Sequence, residues 1–407
     1  MASLTSAGLA SDSATLSTLR DKHPSAPLPT VNTQDTQPAM QIDAEVAMNC
    51  LRNFPRDSAA GLSHTYVTHY LNAIECPTPE YGARAAAAFT DVINVLAAGQ
   101  APVEVAPYLC GAPLYALKKK CGGIRPIAVG ETLRRWTAKC LCSVITPKVV
   151  GQLKPLQLGT GVRGGCEAIT QAINCILEQD TDTPYAILCV DLQNAFNSVS
   201  RDEVLKQVSV VCPELSAWVE YCYSRPSYLS FAGNFISSEC GVQQGDPLSP
   251  LLFALAIQPV ILKIKSEVPD LMLNAWYLDD GTFVGEPHDL AHALDILEIE
   301  FPLIGLQVNE HKCEVWAPNP SNTDLSVVNM NVSRCEEGMV ILGTPISLSD
   351  DFIDKAVAKR AEKATTVLKL LPDINDPQLE LALLRVCGGV PKMSFSLSTC
   401  KPTACLL

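Results

Sequence analysis

Residues 274–285 read NAWYLDDGTFVG: an apolar run, two adjacent aspartates, then Gly-Thr and a second apolar run. The pattern predicts strand, turn and strand, with Asp279 and Asp280 at the tip of a hairpin. Side-by-side carboxylates repel, and a hairpin tip does not need both. Either they lie harmlessly in solvent, as most Asp-Asp-Gly turns do, or a positive group holds them together. A second acid-tipped stretch lies upstream. PYAILCVDLQNAFNSV, residues 184–199, opens as a short and almost wholly apolar run, the mark of a buried strand, and ends it on Asp191. A lone aspartate after a strand is more often a cap or turn residue. If the two strands are sheet neighbours, however, three carboxylates converge across 88 positions (279 − 191). Desolvated acids that close cannot all stay ionised without a cation. Oxygen donors of high charge density suit Mg²⁺, and two such ions about 3.5–4 Å apart form a clamp for in-line phosphoryl transfer.

Outward from these strands, ARAAAAFTDVINVLAAGQ (83–100) predicts a helix ending near Gly99, and PLYALKKKCGGIRPIAVG (113–130) a hairpin turning at Gly122-Gly123. ETLRRWTAKCLCSVI (131–145) returns to helical period. Ser200 and Glu203 have the spacing of a capping box opening the next helix. RPSYLSFAGNFISSECG (225–241) alternates as a hairpin, and the helix that follows takes Ser249 as N-cap with Pro250 at its first position. A helix over PHDLAHALDILEIEFPLIG (287–305), strands at CEVWAP and MVILGTPI, and weaker helical patterns from Asp351 complete the order. This is an α+β chain, an antiparallel sheet with helices on one face.

A length of 407 residues suits two or three subdomains, and 47% hydrophobic residues suit a large core. The net charge of −13 argues against a nucleic-acid partner, yet it is unevenly spread. Between Leu117 and Lys139 stand seven bases (Lys118, Lys119, Lys120, Arg125, Arg134, Arg135, Lys139) against Glu131 alone. Such a patch is an electrostatic footprint or simply a solvated face. The 17 cysteines are odd in number and scattered, with no paired C-x-x-C, which predicts reduced thiols in an intracellular, soluble protein. No signal peptide is evident. The longest apolar stretch, LLFALAIQPVILKI (251–264), is broken by Gln258, Pro259 and Lys263 and falls short of a membrane span.

GVQQGDPLSPLLF (241–253) lies between the acid-tipped strands, and a plain loop into a helix does not explain its Gln-Gln-Gly-Asp-Pro cluster. With it, the chain resembles the reverse transcriptase domain of non-LTR (LINE-type) retrotransposons over about Asn53 to Pro402. KKKCGGIRPIAVGETLRR (118–135) is similar to the fingers hairpin, VDLQNAFNSV (190–199) to motif A, GVQQGDPLSPLLF to motif B and YLDD (277–280) to motif C. GLQVNEHKCEV (305–315) resembles motif D, VILGTPI (340–346) the primer grip, and NFPRDSAAGLSHTYVTHYL (53–71) the segment preceding the fingers.

The resemblance implies a right-hand polymerase palm with fingers and a short, incomplete helical thumb. The blocks expected are a disordered leader at 1–40, N-terminal helices and fingers at 41–185, palm at 186–350 and partial thumb at 351–407. It implies an RNA-directed DNA polymerase working on an RNA template, a DNA primer and deoxynucleoside triphosphates, with two Mg²⁺ ions or Mn²⁺ in their place. Asp191 and Asp279 would ligate both metals, with Asp280 as a weaker third acid and the Leu192 carbonyl as a further ligand. Arg125, Lys118 and Lys120 would grip the triphosphate, although any of the lysines can equally face solvent. Phe196 would block a ribose 2′-OH, or be an ordinary core residue. Gln244 and Gly245 would lie beneath the nucleotide, and Leu342, Gly343 and Thr344 would shape the primer grip. Lys312 is a candidate general acid for pyrophosphate, or an exposed surface lysine. No endonuclease is expected in the leader. The rival readings are a catalytically silent nucleic-acid-binding remnant and an RNA-directed RNA polymerase.

Overall fold

The computed structural model describes residues 12–30, 37–118, 122–179, 183–388 and 390–401. Its chain divides into two compact units that interleave along the sequence, whereas the blocks read from sequence are consecutive. One unit comprises Met1–Lys154, Leu192–Val260 and Ile299–Gln307; the other Pro155–Asp191, Ile261–Glu298 and Val308–Leu407.

In the first unit the helices Ala44–Arg52, Pro79–Ala97 and Thr132–Leu153 surround Trp136, whose indole N–H donates to the Ala47 carbonyl at 2.7 Å. The hairpin read around Gly122-Gly123 is present: β1 (Ala112–Lys118) runs antiparallel to β2 (Ile124–Ala128), pairing Lys118 with Ile124. Lys119 and Lys120 lie outside the described residues. A second hairpin, β4 (Ser227–Phe231) and β5 (Asn234–Ser238), joins it through a parallel β1–β4 pairing, giving the order β2-β1-β4-β5. The period-2 alternation turns Ala112, Leu114, Ala116, Leu229 and Ile236 to one buried face. Leu19 completes that layer from a helix at Ser13–Asp21, so the leader read as disordered contains an ordered, docked segment.

Two local expectations are corrected. Ser200 does precede the helix Arg201–Val211, but it makes no side-chain cap bond. Glu203 instead accepts from Lys206 and Gln207, its neighbours one turn on, which compete for the carboxylate the capping box needs. The next helix begins at Ser249 itself: the Leu248 carbonyl accepts the Leu252 N–H at 3.1 Å, and the Asp246 carboxylate accepts the Leu248 N–H at 2.9 Å. Spanning Ser249–Glu267, this helix is, by length and composition, long and apolar enough to cross a membrane, against the sequence expectation. It is 67% buried over its apolar window, as a core helix is. Cysteines whose side chains are described are all free thiols.

The second unit is built on a five-stranded sheet in the order β6-β7-β3-β8-β9. Here β3 is Ala186–Val190, β6 Leu273–Tyr277, β7 Asp280–Gly285, β8 Glu314–Trp316 and β9 Ser333–Cys335. All pairings are antiparallel except β8 with β9. The helix Gly165–Leu177 lays Ile169 and Ile173 on one face, against Ile187, Val284 and Trp316. Leu188, Phe283 and Val315, on the other face, are buried too, so the sheet is covered on both sides. The unbroken apolar run AILCV of β3 is what such a strand requires. A small hairpin, β10 (Met339–Ile341) and β11 (Thr344–Ile346), adds Met339, Ile341 and Ile346 to the same core. The helix Asp350–Lys369 then contributes Ile353 and Val357 to a separate cluster with Cys400.

Candidate active site

In the second unit, the central strand β3 pairs with β7 as far as Val190 opposite Gly281; Asp191 and Asp280 are the next residues along the two strands, and both line one cleft. Directly opposed residues of an antiparallel pair have Cα atoms about 4.5–5.5 Å apart and share a face. Tyr277 pairs with Asp280 across the other hairpin arm, leaving Leu278 and Asp279 as the two-residue turn. The acids singled out in the sequence thus stand at the ends of neighbouring strands of one sheet and in the turn between β6 and β7.

What it missed is the turn's support. Leu278 sits at φ +58°, a left-handed conformation costly for a leucine. Gln157, fully buried, holds it from both sides: its Oε1 accepts the Leu278 N–H at 2.8 Å and its Nε2 donates to the Leu278 carbonyl at 3.1 Å. Backbone bonds of 2.7 Å from Leu158 to Trp276 and from Trp276 to Leu156 lay this segment along β6. The strain is held by an amide with matched donor and acceptor. Gln157→Leu is expected to cost about 1–3 kcal/mol for each Leu278 group left unpaired, read as a lower urea midpoint. The cue in sequence was a lone polar residue between Leu156 and Leu158, too weak to single out.

A second support comes from the loop before β8. Asn309 donates its backbone N–H to the Asp191 carbonyl at 2.8 Å and its Nδ2 to Asp191 Oδ2 at 2.9 Å. Lys312 follows in a single 3₁₀ turn, Glu310–Lys312, with its Nζ 3.9 Å from the same Oδ2; the lysine is exposed. Asp191, Asp280, His311, Lys312, Glu314 and Leu342 line one cleft of about 400 Å³. Leu342 and Gly343 form the two-residue turn of the β10–β11 hairpin, both at positive φ (+49° and +86°), as a type I′ turn requires. Thr344 is fully buried.

Two thiols border the acids. Burial pushes Cys313 up to about 11, against the lowering effect of the Asp191 backbone, and burial raises Cys189 further. Both are neutral thiols near neutral pH, so the charged donors of the cleft are oxygens, which suit Mg²⁺ rather than a thiophilic metal. Among the described residues no group of three or more His, Cys, Asp or Glu is assembled as a metal cage. Mg²⁺ needs none: it is commonly held by one or two carboxylates together with substrate phosphates and water. The acids present fit that ion.

The remaining sequence-singled residues lie in the first unit. Arg125 is exposed on β2, across from Leu117, and Lys118 is exposed at the end of β1. Leu192 is buried. Phe196, half-buried, stacks on Phe253 at 4.7 Å between centroids, and its carbonyl accepts the Val242 N–H at 2.7 Å. The Gln244 carbonyl accepts the Ala128 N–H at 3.0 Å, fastening the loop to β2. Gly245 has φ +116°, and a Cβ there would lie 2.3 Å from the Ala128 carbonyl oxygen. Gly245→Ala is accordingly expected to lower the urea midpoint, with backbone strain alone costing about 1–3 kcal/mol.

The Asp246 carboxylate meets Arg134 Nε at 2.8 Å, the two side chains being 4% and 1% exposed. Burial disfavours the arginine's charge, but Asp246, with Tyr223, outweighs it and holds the guanidinium well above its ordinary value. Arg134 counted in sequence only as part of a basic patch. Its burial could not be read from that.

A family model described as reverse transcriptase (RNA-dependent DNA polymerase) matches residues 116–346. The chain is 26% identical over 284 residues to the retrotransposable element SLACS 132 kDa protein of Trypanosoma brucei gambiense, covering 68% of this chain and 23% of that protein. It is 31% identical over 153 residues to the Pol polyprotein of a type-1 retrotransposable element R2 from Bradysia coprophila, covering 34% of this chain and 17% of that one. The chain thus spans less than a quarter of the length of these relatives. Among solved structures, apo telomerase of Candida tropicalis aligns at 12% identity and TM-score 0.45, over 59% of this chain and 54% of that chain. The chain belongs to the reverse transcriptase (RNA-dependent DNA polymerase) family, with the non-LTR retrotransposon proteins as its kin.

Proposed function

We propose that this chain adds deoxynucleotides to a primer 3′-hydroxyl on an RNA template. The observation that supports the reading is the β3–β7 register, whose last pair, Val190 with Gly281, lies one residue short of Asp191 and Asp280 and next to the turn bearing Asp279. Asp191 and Asp279 would hold the divalent ions, Mg²⁺ or Mn²⁺ in its place, with Asp280 and the Leu192 carbonyl as secondary donors. When bound, the ions lower the pKa of the attacking hydroxyl and offset charge on the leaving pyrophosphate.

The protein's own groups do the rest. Lys312, its Nζ 3.9 Å from Asp191, delivers a proton to the departing pyrophosphate oxygen. Arg125, with Lys118 and Lys120, binds the triphosphate by charge-assisted hydrogen bonds. Phe196, braced by Phe253, excludes a ribose 2′-OH. Gln244 and Gly245 support the nucleotide and template base, and the Leu342–Thr344 turn holds the primer end.

The test is primer extension on an RNA template, with deoxy- or ribonucleotides, with and without Mg²⁺. Metal-dependent extension with deoxynucleotides is the expected result. Extension with ribonucleotides alone would indicate an RNA polymerase. Binding of an RNA–DNA hybrid at low salt with no extension under any metal would indicate a silent binding protein.

A further inference from the structure

Asn309 sits where the strand-end acid and the exposed lysine meet, and it bonds to both. Its backbone N–H and its Nδ2 donate to the Asp191 carbonyl and to Asp191 Oδ2, at 2.8 and 2.9 Å. Its own carbonyl accepts the N–H groups of Lys312 and Cys313, at 2.8 and 3.1 Å. One residue thereby ties the end of β3 to the turn that carries Lys312 Nζ to 3.9 Å from Asp191. The backbone bonds would survive any side-chain change. The amide contact to the Asp191 carboxylate would not.

From this geometry we infer that Asn309 is the positioning residue for Asp191, setting the carboxylate's orientation for a divalent cation while indexing the Lys312 turn against it. The inference rests on the metal reading of Asp191 proposed above. A carboxylate with one oxygen fixed by an amide donor presents its other oxygen in a single direction. Without the donor it rotates, and part of the binding free energy goes into ordering it. Lys312 cannot substitute, because an exposed lysine on a flexible stem at 3.9 Å exerts a weak, non-directional pull on the acid. Outer hydrogen bonds of this kind typically change metal affinity or activity by about 10–100-fold.

The experiment uses the full chain and two readouts: Mn²⁺ binding, followed by loss of the free-ion EPR signal, and the Mg²⁺ concentration that half-saturates primer extension. Asn309→Leu keeps the residue's bulk and removes the donor; Asn309→Ser keeps a shorter donor; melting temperature reports folding. Weaker Mn²⁺ binding and a higher half-saturating Mg²⁺, each by about 10–100-fold in Asn309→Leu and less in Asn309→Ser, with a smaller change in KM for deoxynucleotide, is the expected result. Wild-type Mn²⁺ binding that either variant retains undiminished would overturn the inference and leave the polymerase reading intact. A wild-type chain that binds no Mn²⁺ would overturn both. If Asn309→Leu melts lower, Asn309→Ser decides alone, by the same criterion.

Discussion

Asp279→Ala is expected to reduce primer extension by at least about 10³-fold while leaving the melting temperature unchanged or raised. Asp279 occupies a two-residue turn beside Asp280, and Asp191 stands across the ladder. Adjacent like charges repel, which offsets the contacts the Asp279 side chain makes in the turn. The substitution would take away a proposed metal ligand on which transition-state charge compensation depends. Stability and activity should therefore move apart, which is the signature of a functional acid cluster. Loss of activity accompanied by a large fall in melting temperature would instead mark Asp279 as a structural turn residue. Asp191→Asn should behave likewise, although Asn309 would then face an amide and part of the gain in stability would be lost.

The second large effect is on the fold. Arg134→Ala is expected to destabilise the chain by about 3–5 kcal/mol, because it strands Asp246 as a buried charge. Arg134 also donates Nη2 to the Tyr223 hydroxyl at 3.1 Å and Nη1 to the Cys110 carbonyl. Tyr223 in turn accepts the Gln243 N–H at 3.3 Å, and Asp246 accepts the Leu248 N–H that opens the long helix. Both ends of the Gln-Gln-Gly-Asp loop therefore hang on one guanidinium. A paired replacement, Arg134→Met with Asp246→Leu, removes both charges and should recover a large part of the loss. Urea midpoints of the two single variants and the double variant measure the coupling directly.

These two cases divide what could be read in advance from what could not. The strands flanking Asp279–Asp280 and the one ending at Asp191 were legible because buried strands are nearly pure apolar runs and the acids interrupt them at their ends. The hairpin at Gly122-Gly123 was legible from its glycines, whereas MVILGTPI read as one strand and folds as the β10–β11 hairpin. Arg134, Gln157 and Asn309 were not. Each acts through a partner distant in the chain: 112 positions for Arg134 to Asp246, 121 for Gln157 to Leu278 and 118 for Asn309 to Asp191. A polar residue's burial depends on a partner that only the tertiary fold supplies, and periodicity carries no trace of it. The same limit explains Glu203, whose helical neighbours claimed a carboxylate that sequence spacing had assigned to a cap. It explains the leader as well, where Leu19 docks on a sheet formed more than ninety residues later.

The central claim is that Asp191 and Asp279 hold divalent cations for nucleotide addition. Its most direct test is a crystal structure of the full chain with an RNA template, a 3′-deoxy-terminated primer, a matched deoxynucleoside triphosphate and Mn²⁺, with the metal located by anomalous scattering. Mn²⁺ peaks ligated by both Asp191 and Asp279 and in contact with the triphosphate are the expected result. Nucleotide bound with no Mn²⁺ at these acids, or Mn²⁺ held elsewhere with Asp191 uninvolved, would contradict it.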